Sequence, residues 1–326
     1  MPLAFRLATF NLENLDDRPE RAPPLERRVE ILRPQLIRLR ADVLCLQEVN
    51  GQPSGRHAPR TLAALDRLLA GTAYEAYERV FTQGAHGPFD VHNLVTLSRF
   101  PIRAHTQLRH EIVTAPSYRL AAAEPAAEAA SPVEWDRPVL HAALDLGGGR
   151  TLNVLNLHLR APLAAFVQGG KTGAFSWGSA RAWAEGFFLA TMKRAGQALE
   201  ARLFVDRLFD ADRHALVAVA GDFNAEAREM PVRTLIAAEA DTGNGDLAHR
   251  SLVPLEQSVP DATRYSVIHG GRGAMIDHIL ASRALLAYMR GVEIHNEALF
   301  DEVSTPPVAH PPDSFHAPVV ASFEMP

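Results

Sequence analysis

The sequence predicts an α/β protein, and its pattern and composition support that fold class. Short apolar runs of strand length alternate with segments whose apolar residues recur at spacings of three and four, as on one face of a helix. The 326 residues, of which 47% are apolar and 22% are charged, suffice for a large core. Neither an internal repeat nor a linker between compositionally different halves is evident. We therefore predict one domain over residues 1–326.

The N-terminal elements are predicted to be a strand, a helix and a second strand. One face of the first strand, residues 4–13, passes from apolar to polar side chains in the order Phe5, Leu7, Thr9, Asn11 and Glu13. Residues 25–40 carry apolar side chains at helical spacing and contain Pro34, so an amphipathic helix that is bent or offset at Pro34 is predicted. The second strand, residues 42–49, is expected to carry Leu44, Leu46 and Glu48 on one face. Both strands therefore lead from apolar to polar side chains.

The middle of the chain contains a predicted hairpin. Elements expected before it are a helix at 61–70, a strand at 92–97 and an unpatterned segment at 103–136, whose low-complexity part is predicted to be a surface loop. Two strands, 137–146 and 151–159, flank three consecutive glycines and predict the hairpin itself. On its second strand Leu152, Val154, Asn156 and His158 share a face. A lone histidine is more often a structural core residue, but His158 stands at the polar end of this face.

The C-terminal half supplies one long helix and three more predicted strands. A loop over 161–178 precedes a helix at about 180–209, where Phe188, Met192, Ala195, Leu199 and Leu203 recur at helical spacing. The predicted strands are 216–224, 275–280 and 315–320, with a loop-like stretch over 241–262 and a proline-rich segment before the last strand. On the strand at 275–280, Asp277 and His278 face opposite sides.

The segment Gly221-Asp222-Phe223-Asn224 ends the apolar run that begins at Leu216. Alternation along a strand directs Asp222 and Asn224 to one side and Phe223 into the core. The alternative is an ordinary turn in which Asp and Asn bond their own backbone. The functional interpretation gains weight because other strands end or begin in Asn11, Glu48, His158, Asp277 and His316 in the same way.

Acidic, amide and imidazole groups that converge at one mouth of a sheet call for a cation. Clustered carboxylates repel one another, and carboxylate and amide oxygens suit Mg²⁺ or Mn²⁺ better than zinc. The sequence has no Cys/His cluster with zinc spacing and no glycine-rich nucleotide loop. No serine stands in a G-x-S-x-G context, which excludes that type of serine hydrolase. We predict a site for a hard divalent cation.

Net charge, cysteine content and the absence of targeting segments bear on the expected partners and location of the protein. The net charge of −5 argues against indiscriminate nucleic-acid binding, although a locally basic groove is compatible with it. The single cysteine, Cys45, lies in an apolar run and is expected to be a buried structural thiol. Neither a signal peptide nor an 18-residue apolar span is present, so the default expectation is a cytoplasmic protein without a membrane anchor. No obligate protein partner is evident.

An ordered series of motifs resembles the endonuclease/exonuclease/phosphatase superfamily, the deoxyribonuclease-I-like fold. The motifs are TFNLEN (9–14), LQEVN (46–50), LSRFPI (97–102), LNLHL (155–159), GDFNAE (221–226), IDHIL (276–280) and FHAPV (315–319). Each alone is weak, but seven in order cover nearly the whole chain. The resemblance implies a four-layer α/β/β/α sandwich of two mixed β-sheets flanked by helices. It also implies metal-dependent hydrolysis of a phosphate ester by direct attack of water.

The resemblance further implies roles for individual residues. Glu48 is expected to be the main ligand of Mg²⁺ or Mn²⁺, assisted by Asn11 and Glu13. Asp222 is expected to orient or deprotonate the attacking water, and Asn224 to fix its geometry. His316 is expected to bond the scissile phosphate, with its tautomer and charge set by Asp277. His158 is expected to contact a phosphate oxygen or to support the leaving group. His278 is expected to be structural.

One departure from the family pattern concerns the last motif. The family usually has Ser-Asp-His where this chain has Ser314-Phe315-His316, and Asp313 is a candidate substitute for the lost carboxylate. The change puts a second metal site in doubt and keeps a non-catalytic interaction module open as an alternative.

The substrate is left open by the sequence. It is expected to be a phosphate ester: nucleic acid, nucleotide, phosphorylated small molecule or lipid headgroup. A phosphodiesterase or nuclease-like enzyme leads, and a phosphomonoesterase or a sphingomyelinase- or phospholipase C-like enzyme is the alternative. Loops 103–136 and 161–178 are expected to select the substrate. Lys171, Phe175 and Trp177 lie in the second loop. Lys171 is a candidate phosphate clamp, and Trp177 is a candidate to stack on a base or contact a lipid. The alternative for both is an ordinary solvent-exposed loop residue.

Overall fold

Two six-stranded β-sheets form the body of the molecule. The computed structural model describes residues 2–18, 23–55, 58–174, 176–303 and 313–326. Phe175 and the prolines of the segment before the last strand lie outside these ranges. The strands of the two sheets are, in chain order, β1 (Leu3–Leu15), β2 (Val43–Val49), β3 (Glu78–Phe81), β4 (Asn93–Ser98), β5 (Ile102–Leu108), β6 (Val139–Gly147), β7 (Arg150–His158), β8 (Leu216–Asp222), β9 (Leu252–Pro254), β10 (Asp277–Ser282), β11 (Met289–Ile294) and β12 (Val319–Met325).

Six α-helices and four short 3₁₀ helices connect the strands in the described ranges. The α-helices are α1 (Leu25–Leu39), α2 (Ala63–Leu69), α3 (Ala180–Ala211), α4 (Met230–Ile236), α5 (Glu239–Thr242) and α6 (Arg283–Leu286). The 3₁₀ helices are Ala73–Ala76, Gly245–Arg250, Leu255–Ser258 and Asp261–Thr263. Three small two-stranded pieces lie outside the large sheets: Gln83–Gly84 with Gly87–Pro88, Ser117–Tyr118 with Ser131–Pro132, and Val267–His269 with Arg272–Ala274. Among the described helices none is long and apolar enough to cross a membrane.

Each sheet is mixed and has one parallel pair at its centre. The first sheet has the order β11-β12-β1-β2-β4-β3, and the second has the order β9-β10-β8-β7-β6-β5. In the first, β1 and β2 are parallel; in the second, β7 and β8 are parallel, and the other pairs are antiparallel. The four strands of these two pairs are predicted from the sequence to end in the polar side chains Asn11, Glu48, His158 and Asp222.

The sheets pack face to face with helices on both outer surfaces. The core between the sheets combines side chains such as Phe5 and Leu7 of β1 with Leu152 and Val154 of β7. The apolar faces of α1 and α2 cover the first sheet, and α3 and α4 cover the second. This arrangement confirms the predicted α/β fold class with two mixed sheets flanked by helices. Cys45 is fully buried, and burial raises the pKa of its thiol to about 12.

The predicted common face of Leu44, Leu46 and Glu48 is wrong. Leu44 and Leu46 pack beneath α1 in the outer core. Glu48 has a left-handed backbone (φ 57°), and the pairing of β2 with β4 shifts between Leu46 and Val49. The alternation of faces is therefore interrupted just before Glu48, which turns its side chain to the other side of the sheet.

Three predicted element boundaries also need correction. The segment 103–136 begins as strand β5, an edge strand of which only Leu108 is buried. The stretch 241–262 contains β9 and short helical turns rather than loop alone. The last strand begins at Val319 and not at Phe315, so His316 lies on the approach to β12.

A small lobe stands beside the second sheet, formed by residues 109–136, residues 161–174 with 176–178, and the N-terminal half of α3. We call it the side lobe. It has a separate apolar cluster that includes Val133, Val167 and Leu189. Its anchors are two buried glutamates of α3. Glu185 accepts hydrogen bonds from the backbone of Ala121 (2.5 Å) and Ala122 (2.8 Å).

The second anchor, Glu200, is fully buried and accepts hydrogen bonds from a turn and from a tryptophan. Its donors are the backbone N–H groups of His110 (3.0 Å), Ile112 (2.9 Å) and Val113 (3.5 Å) and the indole of Trp135 (2.8 Å). Side-chain carboxylates thus replace the sheet or helix partners that this irregular backbone lacks.

Candidate active site

The predicted site residues converge at the carboxyl ends of β1, β2, β7 and β8. Because the strands of each central pair are parallel, both end at the same edge of their sheet. The register places His158 beside Asp222, and Asn11 beside Gln47, the residue before Glu48. Since the sheets are stacked, side chains from the two edges meet in one place.

Asp222 lies at the centre of this group, and its side chain is almost fully buried. It accepts hydrogen bonds from Asn11 Nδ2 (2.9 Å), from the Asn224 backbone N–H (2.8 Å) and from Asn224 Nδ2 (3.1 Å). His158 Nε2 lies 3.3 Å from Asp222 Oδ2. Burial raises the pKa of Asp222 to about 7, and although His316 and the hydrogen bonds oppose that rise, the charge of Asp277 adds to it. Such a carboxyl group can exchange a proton near neutral pH.

Asn11 joins Asp222 to Glu48. Its Nδ2 also lies 3.3 Å from Glu48 Oε1, while Glu48 Oε2 accepts a hydrogen bond from the Asn14 backbone N–H at 3.0 Å. His158 Nε2 is 3.7 Å from Glu48 Oε1, and His92 Nε2 is 3.9 Å from Oε2. Each carboxylate oxygen of Glu48 keeps lone pairs for a further partner.

Asp277 and His316 form a hydrogen-bonded pair. His316 Nδ1 lies 2.8 Å from Asp277 Oδ2, and its Nε2 lies 3.9 Å from Asp222 Oδ2. Burial lowers the pKa of His316, but the charges of Asp277 and Asp222 outweigh burial and hold the pKa well above its usual value. The two carboxylates therefore favour the protonated form of the His316 imidazole.

The pKa of His158 is shifted in the opposite direction to that of His316. Burial, together with the nearby cations Arg137 and His316, holds the pKa of His158 well below its usual value. Its Nδ1 is buried and has no hydrogen-bond partner among the described residues. The surroundings thus favour the neutral form of His158 and the protonated form of His316. A neutral imidazole offers a phosphate one N–H donor, whereas a protonated imidazole also offers a charge.

Left-handed backbone conformations are concentrated at the site. Of the eight non-glycine residues with positive φ in the described ranges, five lie here. They are Glu13, Asn14, Glu48, His92 and Asn224, with φ between 47° and 58°. Each such conformation costs of order 1 kcal/mol for a residue with a Cβ, and strain of this kind gathers where geometry serves a function.

The geometry around Phe315 involves Glu13 rather than Asp313. Glu13 Oε2 accepts a hydrogen bond from the Phe315 backbone N–H at 2.8 Å, and burial raises the pKa of Glu13 to about 7. Asp313 instead accepts hydrogen bonds from Gln35 Nε2 (2.8 Å) and the Ser314 backbone N–H (2.7 Å). Asp313 therefore uses its carboxylate at α1, and the interpretation of Asp313 as a substitute loses support.

Sequence reasoning missed Arg137 and His92. Arg137 Nη2 lies 2.8 Å from His92 Nδ1, and His92 Nε2 lies 3.0 Å from Asn14 Oδ1. Arg137 Nε and Nη1 are closed to solvent and have no hydrogen-bond partner in the described part of the chain. Burial lowers the pKa of Arg137 while Glu48, Asp136 and Asp222 counteract it, and a guanidinium stays protonated in any case.

The missed signal lay at a strand start. In the hairpin of β6 and β7, Leu140 pairs with Asn156, so the start of β6 lies beside the end of β7 at His158. Arg137 therefore reaches the site from the start of a strand, whereas the predicted residues of β1, β2, β7 and β8 reach it from strand ends.

Two further contacts support the loop that follows Asp222. Arg194 of α3 donates to the Asn224 carbonyl at 2.6 Å. His278 turns away from Asp277, as its predicted face requires: its Nε2 lies 2.8 Å from the Ala225 carbonyl and its Nδ1 lies 2.6 Å from Glu256 Oε1.

The donor chemistry fits a divalent cation. Asp222, Asp277 and His316 offer ligand atoms that all lie within 4.8 Å of one another, and Asp277 Oδ1 is buried without a hydrogen-bond partner among the described residues. The predicted ligands Asn11, Glu48 and Glu13 adjoin this group through the Asn11–Asp222 hydrogen bond. Most of these donors are carboxylate or amide oxygens, the ligands that Mg²⁺ and Mn²⁺ prefer.

The loop residues that the sequence offered as substrate contacts are engaged with each other. Lys171 Nζ lies 5.2 Å from the centre of the Trp177 ring and donates to the Ala174 carbonyl at 3.0 Å. These two side chains therefore already have partners within their own loop.

Comparison with known families gives one match over most of the chain. The model described as "Endonuclease/Exonuclease/phosphatase family" matches residues 8–304. No curated protein sequence matches the chain.

Solved structures with the same architecture are distant in sequence. An endonuclease/exonuclease/phosphatase family protein from Bacteroides thetaiotaomicron aligns over 100% of this chain and 96% of its own, with 14% identity and a TM-score of 0.59. The 3′ phosphatase NExo from Neisseria, bound to product DNA hairpin, aligns over 98% and 99%, with 19% identity and a TM-score of 0.53. An AP endonuclease from Archaeoglobus fulgidus aligns over 98% and 99%, with 16% identity and a TM-score of 0.51.

Proposed function

Because this chain belongs to the endonuclease/exonuclease/phosphatase family, we propose that it is a divalent-metal-dependent phosphodiesterase of the nuclease-like type. Hydrolysis of phosphoester bonds is the chemistry of that family. Its members act on different substrates, so cleavage of a phosphodiester is the part of the proposal that is specific to this chain. Two of the similar structures are described as a 3′ phosphatase with a DNA hairpin and an AP endonuclease.

Asp222 is the proposed base for the attacking water. Its carboxylate is fixed by Asn11 and Asn224, so one orientation is held without further ordering. Its pKa of about 7 lets it accept a proton at the pH at which the enzyme would work.

Cationic His316 and Arg137 are the proposed ligands of the phosphate oxygens. His316 is fixed by Asp277, and Arg137 by His92. Neutral His158 is placed beside Asp222 and Glu48 to donate its Nε2 hydrogen to an oxygen of the ester. A divalent cation held by Glu48 and Asn11, with Glu13 or Asp277 nearby, would neutralise charge on the phosphate and the leaving oxygen.

The observation that carries this proposal is the central position of Asp222. One buried carboxylate contacts amides from two directions and lies 3.3 Å and 3.9 Å from two imidazoles. A purely structural aspartate needs hydrogen-bond donors, but it does not need two neighbouring histidines whose pKa values are shifted in opposite directions.

The test measures hydrolysis of bis-p-nitrophenyl phosphate, p-nitrophenyl phosphate and plasmid DNA with Mg²⁺, with Mn²⁺ and with chelator. We expect metal-dependent cleavage of the diester, and we expect Asp222→Asn to reduce the rate by about 10²–10⁴-fold without loss of the fold. Asp241→Asn, which removes an exposed carboxylate paired with Arg233, is the matched control and keeps the normal rate.

Other outcomes distinguish the alternatives. Cleavage of the monoester alone would favour the phosphomonoesterase, and hydrolysis that survives chelation would contradict the metal-dependent mechanism. No hydrolysis of any substrate by a folded protein would favour the interaction module.

A further inference from the structure

A cavity of about 550 Å³ lies where the side lobe meets the strand ends of the second sheet. Its lining includes Asp136, Arg160, Lys193, Leu120, Val133 and Phe166. That volume is typical of a pocket for a small molecule or for one part of a larger substrate. None of these side chains has a role in the hydrolytic centre described above.

Residues that line the cavity are close in sequence to residues of the hydrolytic centre. Asp136 directly precedes Arg137, and Arg160 follows His158 by two residues, so its Cα lies within about 7 Å of the His158 Cα. Gln197 of α3 donates to the backbone carbonyls of both Arg137 (3.1 Å) and His158 (3.3 Å). Lys193 lies one turn earlier on the same side of α3.

The cavity carries an excess positive charge. Lys193 Nζ lies 2.7 Å from Asp136 Oδ1, and Arg160 Nη1 contacts Asp136 Oδ2. Two cations share one carboxylate, which leaves one net positive charge. Arg109, which also lines the cavity, is balanced by Glu134 at 3.1 Å.

Both shared cations are held in place and partly desolvated. The side chains of Lys193 and Arg160 are 23% and 24% exposed, and Arg160 Nε is buried with no hydrogen-bond partner among the described residues. Burial raises the pKa of Asp136, but hydrogen bonds from Lys193 and Arg160 outweigh burial and lower the pKa overall, so the carboxylate stays ionised and keeps the two cations together. Fixed, half-buried cations bind anions better than mobile surface lysines do.

An apolar wall and an exposed ring complete the cavity. Leu120, Val133 and Leu189 line it, and Phe166 at its edge is 72% exposed. An exposed phenyl ring beside a basic cluster offers a stacking surface for a planar group whose charge lies elsewhere.

We propose that Arg160 and Lys193 form a second anion subsite, which binds a phosphate separated from the scissile phosphate by a ring-bearing group that packs against Phe166. The corresponding ligand chemistry is that of a nucleoside with two phosphates, present in a nucleic-acid strand or in a free nucleoside bisphosphate. The inference rests on the proposed function, since it assigns the rest of the substrate of that same site.

Binding to Asp222→Asn protein, in which turnover is expected to be about 10²–10⁴-fold slower, tests the subsite separately from activity. Calorimetry with Mg²⁺ compares thymidine 3′,5′-bisphosphate with the 5′- and 3′-monophosphates. We expect the bisphosphate to bind roughly tenfold or more tightly than either monophosphate, as for a charge-assisted contact. Arg160→Ala and Lys193→Ala, each added to that protein, should abolish this preference and leave the affinity for the monophosphates within about twofold.

Arg207→Ala is the matched control, because Arg207 is an exposed cation of the same helix about 21 Å from Lys193 along its axis. It should keep the preference for the bisphosphate. The dinucleotide pTpT distinguishes the sources: tighter binding than the bisphosphate identifies a strand, and equal binding identifies the free bisphosphate.

The inference and the proposed function fail in different ways. Equal affinity for mono- and bisphosphates, or a preference that survives both substitutions, would overturn the subsite even if the wild-type protein hydrolyses diesters. Absence of hydrolysis with the predicted binding preference intact would overturn the proposed function and leave the subsite standing.

Discussion

Asp222 reaches its position because the residue before it has no side chain. Gly221 has φ 149°, a conformation that side chains disfavour, and a Cβ built on it would lie 1.9 Å from the Leu157 carbonyl oxygen. The close approach of β8 to β7 at this point brings Asp222 beside His158. The glycine of the Gly-Asp-Phe-Asn motif therefore serves the site through the backbone.

Gly221→Ala should destabilise the protein by about 2–4 kcal/mol, since β7 and β8 must separate to admit the methyl group. Urea unfolding followed by circular dichroism measures the change. Gly291→Ala is the control, because a Cβ at Gly291 meets no atom within 4 Å, and it should change stability by less than about 0.5 kcal/mol. A loss as small as the control's would contradict the close-contact argument.

Single residues also show the limits of sequence reasoning at the site. Alternation along a strand correctly placed Asp222 opposite to Phe223, because the backbone is extended there. It failed at Glu48, where a left-handed residue interrupts the alternation. Arg137 and His92 were missed, since their contact joins a strand start to a loop residue 45 positions away. Contacts of this kind depend on tertiary packing and cannot be read from local spacing.

At the scale of elements, α3 has two different tasks. Its C-terminal half packs on the second sheet, and its N-terminal half belongs to the side lobe. Glu185 in the first half and Glu200 in the second accept hydrogen bonds from the irregular backbone of the lobe. Gly196 allows the close contact with Trp135, since a Cβ there would lie 2.1 Å from the indole. Because α3 is long, it joins the second sheet to the side lobe, which contains most of the loops expected to select the substrate.

Glu200→Gln should loosen the side lobe, because a side-chain amide replaces one acceptor oxygen with a donor that faces other donors. We expect a loss of about 1–3 kcal/mol and faster hydrogen exchange of the amides of residues 110–113. Glu128→Gln, at an exposed position of the same lobe, is the control and should change neither quantity. Unchanged exchange in the Glu200 variant would refute its anchoring role.

Elements were predictable where burial imposes a pattern. The helix at 25–40 and the strands at 42–49 and 151–159 agree closely with α1, β2 and β7, because each has an apolar face against a core. β5 was missed since it is an exposed edge strand with little apolar alternation. The pairing of the strands into two sheets came from the family resemblance, as local periodicity contains no information about strand order.

For the molecule as a whole, function requires that the ends of two separate sheets keep their relative position. Within the second sheet, a buried ion pair behind the site joins β10 to the segments that follow β8 and β9. His278 of β10 contacts Glu256 at 2.6 Å and the Ala225 carbonyl at 2.8 Å, and both side chains are almost fully buried. Burial lowers the pKa of His278, but the charge of Glu256 and these hydrogen bonds outweigh burial and raise it above the usual value.

This raised pKa makes the stability of the fold depend on pH in a definite direction. A histidine whose pKa is higher in the folded protein contributes its full stability below the unfolded pKa of about 6.5, and the contribution is lost as the pH rises through the folded value. Glu256→Gln should therefore cost about 3 kcal/mol at pH 6 and clearly less at pH 9.5. Urea unfolding at both pH values measures the difference. Glu302→Gln, which alters the exposed pair of His269 and Glu302, should cost under about 0.5 kcal/mol at either pH, because solvent screens that pair. A cost of the Glu256 substitution that does not change with pH would mean that His278 is held by hydrogen bonds alone, without charge.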